Sequence, residues 1–182
     1  MSKKGSGSAY FLAEKSDVVE SHTLSVLVDN EPGVLARVIG LFSGRGYNIE
    51  SLTVSEVEHE AHLSRITVVT AGTPDVIQQI RSQLERLVPV HKVADLSLTH
   101  EPIERELCLV KVRGTGEERV EALRLAQAFE AVTVDATLES FVFQLTGRSR
   151  EVDRFIKLMT SVGLVEVSRT GVAALARGGT AM

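Results

Sequence analysis

Tryptophan is absent from this 182-residue sequence, aromatic residues of all kinds make up 4%, and there is a single cysteine. Scarce aromatics leave few platforms on which bases or sugars could stack. The lone Cys108 excludes an intramolecular disulfide, and its place in the apolar run 107–112 reads as a buried structural thiol. Positive charge is not in excess either. Twenty Lys and Arg stand against 24 Asp and Glu, and a net charge of −4 gives no general attraction to nucleic acid. No apolar run approaches the ~18 residues of a membrane span. The opening residues 1–17 carry lysines but no apolar h-region, so no secretory signal is expected and the expected location is cytoplasmic.

Catalytic signatures are equally scarce. There is no GxSxG elbow and no CxxC pair. His59 and His62 form an HxxH spacing, but they fall at an expected hairpin turn without the further ligands a zinc site needs, so they read as solvated loop histidines. Gly114-Thr115-Gly116 begins a GxGxxG pattern that Arg119 breaks, and Ser43-Gly44-Arg45-Gly46 lacks the lysine of a P-loop. No metal site and no catalytic residue is expected in this chain.

What the sequence does have is order. Hydrophobic residues make up 43%, enough for a core. Residues 23–28 alternate, with Leu24, Val26 and Val28 on one face, and predict a strand. Val34, Leu35, Val38, Leu41 and Phe42 follow helical spacing, and Ser43-Gly44-Arg45-Gly46 ends that helix. Strands are expected over 48–57, 63–70 and 90–98. Between the last two, Thr73 is a suitable N-cap and Pro74 a suitable first helical residue, with Ile77, Ile80, Leu84 and Leu87 as the apolar stripe. After a short linker at 99–102 the order repeats. Strands are expected over 107–112, 132–134, 140–146 and 164–168, and helices over 117–129 and 149–162, with an apolar extension at 171–176. The expected fold is α+β: two tandem βαββαβ ferredoxin-like units, each an antiparallel sheet with both helices on one face. The expected organisation is a flexible tail over 1–20, a first domain over 21–99 and a C-terminal domain over 104–178.

One segment has the chemistry of a ligand site. Asp29-Asn30-Glu31-Pro32-Gly33-Val34-Leu35 joins the first strand to the first helix. A helix N-terminus exposes unpaired N–H groups and a positive dipole end, which suits a carboxylate. Gly33 allows close approach to the backbone, Asn30 offers both a donor and an acceptor, and Val34 and Leu35 supply apolar surface. The same composition also suits an ordinary strand–helix turn.

The run from Asn30-Glu31-Pro32-Gly33-Val34-Leu35-Ala36-Arg37-Val38 through Arg45-Gly46-Tyr47-Asn48-Ile49-Glu50-Ser51-Leu52-Thr53-Val54 resembles the ACT-domain signature in one particular family. That family is the small regulatory subunit of acetolactate synthase, also called acetohydroxyacid synthase. Leu63-Ser64-Arg65-Ile66-Thr67, Arg105-Glu106-Leu107-Cys108-Leu109-Val110-Lys111-Val112 and Val165-Glu166-Val167-Ser168-Arg169-Thr170-Gly171-Val172 also fit, so the resemblance spans about 21–178. It implies a non-catalytic protein that activates a separate catalytic large subunit and confers feedback inhibition by a branched-chain amino acid, usually valine. Thiamine diphosphate, magnesium and FAD then belong to that large subunit, and this chain holds no cofactor. The resemblance further implies a homodimer of side-by-side ACT domains with the effector between protomers. One protomer supplies Asn30, Gly33, Val34 and Leu35, and the other supplies Asn48 and Ile49 at the start of its second strand. An edge strand there would need such cover.

The competing reading is a free-standing ACT-type amino-acid sensor acting on another partner, such as a transcription factor. It should carry a DNA-reading helix or basic stripe, and the sequence displays neither. Valine, leucine and isoleucine remain open as effectors, because a methylene is worth only about 1–3 kcal/mol in an apolar pocket.

Overall fold

The computed structural model describes residues 18–98 and 102–179. Most of the expected tail and nearly all of the expected linker, residues 99–101, lie outside these. The first unit runs β1 (Glu20–Asp29), α1 (Val34–Arg45), β2 (Ser51–Glu58), β3 (Leu63–Gly72), α2 (Pro74–Leu84) and β4 (Val90–Asp95). The second runs β5 (Ile103–Arg113), α3 (Gly116–Ala128), β6 (Val132–Ala136), β7 (Ser140–Gly147), α4 (Ser149–Thr160), β8 (Leu164–Arg169) and the short β9 (Ala173–Leu175). The sheets are antiparallel, ordered β2-β3-β1-β4 and β6-β7-β5-β8, with β9 also beside β5.

Period-two alternation on the central strands meets helical periodicity in both cores. Leu24, Val26 and Val28 of β1 and Ile66 and Val68 of β3 pack against Val34, Val38 and Phe42 of α1 and Ile77, Ile80 and Leu84 of α2. Because one face of β1 meets both helices, both lie on the same side of the sheet. The second core repeats the plan with Cys108, Val110 and Val112 of β5, Phe141, Phe143 and Leu145 of β7, Ala122 and Ala126 of α3, and Val152, Phe155 and Met159 of α4. Cys108 is fully buried, as its apolar run implies.

Three local expectations are corrected. β2 begins at Ser51 rather than Asn48. The carbonyl of Asn48 accepts the hydroxyl of Thr70 at 2.6 Å instead of a ladder amide. β4 ends at Asp95, and residues 96–98 turn away, with the Leu96 N–H donating to Thr23 O at 2.9 Å. Leu35, expected on the buried stripe of α1, is 37% exposed.

The helix-free face of the first sheet is covered by the second unit. Cys108 faces Arg169 in the β5–β8 ladder and Arg105 faces Ala173 in the β5–β9 ladder. Three residues of β5 therefore span four of the other chain segment, and the extra residue kinks it at 170–172. This kink and β9 lie over the first sheet, where Val172 and Ala174 are buried with Leu96 against Val69 and Ala94. Thr23 donates its hydroxyl to Glu104 at 2.5 Å across the same boundary.

Candidate functional site

The turn between β1 and α1 is tied down on both sides by backbone. The Asp29 N–H donates to Pro89 O at 2.9 Å and the Asn30 N–H to His62 O at 2.7 Å. His91 Nε2 lies 2.6 Å from Asp29 Oδ1. Gly33 is the N-cap of α1 with φ 88°, a left-handed conformation that strains any residue bearing a Cβ. A Cβ there would meet nothing within 4 Å, so glycine is required by the backbone and the space above it is open.

Helix α1 starts bare. No side chain caps it and no acid occupies its first turn. The other helices each carry acids there: Asp75 in α2, Glu117 and Glu118 in α3, and Glu151 in α4, which is part of a capping box. The Val34 N–H reaches only Glu31 O, at 3.4 Å. The end of α1 thus keeps its positive character, with Leu35 partly exposed beside it and Val34 buried beneath.

The candidate residues fall into two groups at opposite ends of the first sheet. Asn30, Gly33, Val34 and Leu35 lie at the end where Asn30 bonds to His62. Asn48 and Ile49 lie at the end where Asn48 bonds to Thr70. Along β3 those partners are eight residues apart, about 27 Å of extended chain at 3.4 Å per residue. One protomer does not bring the groups together. Asn48 is exposed, Ile49 is half-buried against the core, and both lead into β2, which is an edge strand of its sheet.

A second polar centre was not foreseen from the residues. Glu106 is buried, and Arg169 binds both of its carboxylate oxygens, through Nε and, at 2.8 Å, through Nη2. Arg169 Nη1 donates to Asp153 Oδ1 at 2.7 Å and Ser149 Oγ to Glu106 Oε2 at 2.9 Å. The Arg169 hydrogen bonds hold the Glu106 carboxyl below the usual range against the opposing effect of burial, and Glu106 in turn raises Arg169. The signal was an acid in step with Cys108, Val110 and Val112 on the inward face of a strand. His22 and Asp95 form the matching buried pair in the first unit, Nδ1 to Oδ2 2.8 Å.

Between the units opens a cavity of about 750 Å³, whose walls include Glu50, Ser51, Glu106, Arg169 and Gly171. Among the described residues, no group of three or more His, Cys, Asp or Glu side chains is placed to hold a metal ion, and no helix is long and apolar enough to cross a membrane.

A β2-β3-β1-β4 sheet with both helices on one face, and a glycine-started helix following its first strand, is the ACT-like arrangement. Residues 24–92 match the family described as the acetohydroxyacid synthase small subunit-like ACT domain, and residues 105–178 match that described as the small subunit of acetolactate synthase. The chain is 46% identical to the acetolactate synthase small subunit of Haemophilus influenzae, over 85% of this chain and 94% of that one. It is 45% identical to the isozyme 3 small subunit of Escherichia coli over the same shares. The crystal structure of the acetolactate synthase small subunit from Thermotoga maritima superposes with a TM-score of 0.79 at 36% identity, covering 88% of this chain and 99% of that one. The chain belongs to the acetolactate synthase small subunit family.

Proposed function

We propose that this protein is the non-catalytic regulatory subunit of an acetolactate synthase, and that it activates the catalytic large subunit and makes it sensitive to a branched-chain amino acid, foremost valine. Thiamine diphosphate, magnesium and FAD belong to the large subunit in this reading. The observation that carries it is the bare start of α1 at Gly33, unneutralised by any side chain or acid of its own. The N–H groups there hold the effector carboxylate, Asn30 and Asn48 address its polar groups, and Leu35 and Ile49 take its apolar side chain.

The 27 Å separation of the two groups argues for a homodimer. If the β2 edges of two protomers run antiparallel about a two-fold axis, the Gly33 end of one sheet lies beside the Asn48 end of the other. Such pairing also covers an exposed strand edge. The effector then sits between protomers and favours one relative arrangement of the sheets, while the catalytic subunit favours another. A ligand shifts an equilibrium only by its unequal affinity for the two states, so the catalytic subunit must weaken valine binding by the same factor.

The test is reconstitution. Purified chain is added to a purified acetolactate synthase catalytic subunit, and activity is followed across a valine titration. Activation that valine reverses is the expected result; no effect on rate overturns the proposal.

A further inference from the structure

We infer that the kink at Thr170-Gly171-Val172 in the second unit is a positioning element for the effector half-site on the first, so that the second unit sets how tightly the effector is held. This rests on the effector reading given above. Val172 is gripped on both sides by β2. Its N–H donates to Ser51 Oγ at 2.8 Å, and its carbonyl accepts the hydroxyl of Thr53 at 2.8 Å. Ser51 and Thr53 are two apart on one strand and so face the same side, away from the helices. The pair acts as a side-chain substitute for a backbone ladder between the two units.

The approach is close enough to demand glycine. Gly171 has φ 81°, and a Cβ on it would lie 2.8 Å from Ser51 Oγ and 3.3 Å from Leu52 O. Space and conformation therefore both exclude a side chain, unlike Gly33, where only conformation does.

The place where the kink grips matters. Asn48 and Ile49 precede Ser51 by three and two residues, and two hydrogen bonds tie this segment to β3: the Glu50 N–H donates to Val69 O at 2.8 Å and Asn48 O accepts the Thr70 hydroxyl at 2.6 Å. As an edge strand, β2 has β3 as its backbone neighbour on one side only. A shift of Val172 is thus passed through Ser51 to the start of β2 and to the two residues that lead into it. On the Val172 side the contact is backed by a small cluster of Leu96, Val172 and Ala174 and opens on its flank into the cavity of about 750 Å³; on the β2 side Ile49 rests on the core and Asn48 on Thr70, so the shift that reaches them is small.

The experiment uses the full chain in reconstituted holoenzyme with valine as the probe. The double variant Ser51→Ala/Thr53→Val removes both grips and keeps the strand's shape. The expected result is a rise of about tenfold in the valine concentration for half-inhibition, equivalent to about 1.4 kcal/mol, with activation at zero valine within about twofold of wild type. Thr53→Ser, which keeps the hydroxyl, should leave the valine response unchanged, which assigns the effect to the hydrogen bond and not to the methyl group. Asn48→Ala run in parallel separates the two readings. If Asn48→Ala weakens inhibition and the double variant does not, the positioning role is overturned and the effector site stands. If Asn48→Ala leaves inhibition untouched, the effector site itself is wrong and the inference falls with it. Loss of activation and inhibition together in the double variant also overturns it, because the joint would then be holding the fold.

Discussion

Glu106 and His22 occupy the same place in their respective units, and the order of acidic and basic side chains across that place is reversed. In each unit the residue lies two positions before the central-strand residue that faces the last strand's partner. Leu24 faces Asp95 and Cys108 faces Arg169. Asp95 then meets His22, and Arg169 meets Glu106. In the first unit the basic side chain is on the central strand and the acid on the edge; in the second the acid is central and the base is at the edge.

That corner of the second unit gives a pH prediction with a definite sign. Arg169 lowers the folded-state pKa of Glu106 below the ordinary 4.5. A carboxylate depressed in this way stabilises the fold fully above its unfolded value, and the contribution is lost as pH falls through the folded value. Urea midpoints of wild type and Glu106→Gln should therefore differ most at pH 7 and begin to converge only as pH falls below the ordinary 4.5 toward the depressed folded value. At pH 7 the variant should lose about 1.5 kcal/mol, the low end for a charged hydrogen bond because Arg169 is one-third exposed to water. Equal slopes of stability against pH would show that the pair contributes nothing.

Gly33 offers two substitutions that separate strain from charge. Gly33→Ala meets open space and should cost only the left-handed backbone, roughly 1 kcal/mol of stability. Gly33→Asp adds a carboxylate where the effector's own should lie. Repulsion between two carboxylates ~4 Å apart is about 4 kcal/mol at an effective dielectric of 20. Half of that is roughly thirtyfold in affinity. Asp tolerates the left-handed region better than most residues, so the fold should survive. The expected phenotype is activation retained and valine inhibition shifted by at least that factor; unchanged inhibition would place the effector elsewhere.

The free β2 edge predicts the assembly state. Sedimentation equilibrium of the purified chain at micromolar concentration should give a dimer. A stable monomer under those conditions would remove the arrangement proposed to join Gly33 to Asn48.

Cys108 should behave as packing rather than chemistry. It is fully buried, and desolvation pushes its thiol above the ordinary value. An aromatic disulfide reagent should leave the native protein unlabelled and react once urea unfolds it. Fast labelling of folded protein would mean that the second core opens locally.

Much of this architecture could be read from the residues, for a physical reason: side chains that face a core repeat with the period of their element. Leu24-Val26-Val28, Ile77-Ile80-Leu84 and Val152-Phe155-Met159 announce strand and helix directly. The start of β2 is not legible because Ile49 continues the apolar pattern of the strand, while the carbonyl of Asn48 is engaged by a threonine hydroxyl. The covered face of the first sheet was invisible for a different reason. Thr23, Ser25 and Thr67 alternate with apolar residues as a solvated face would, yet all three are buried. Nothing in local periodicity says that residues from 103–105 and 172–174 will lie over them. The turn at Gly33 was legible as a helix start, but the need for a left-handed glycine was not, since φ leaves no mark on composition.

The placement of the two half-sites at opposite ends of one sheet has a genetic consequence. In the proposed two-fold dimer each effector position would draw its turn from one chain and its lead-in segment from the other. Two defective chains, one altered at Gly33 and one at Asn48, therefore fail differently when combined. In the mixed dimer both lesions fall in the same position, and the other position is assembled wholly from undamaged parts. Two valine-blind alleles expressed together should regain part of the response that neither shows alone, whereas two alleles damaged at the same half-site should never complement.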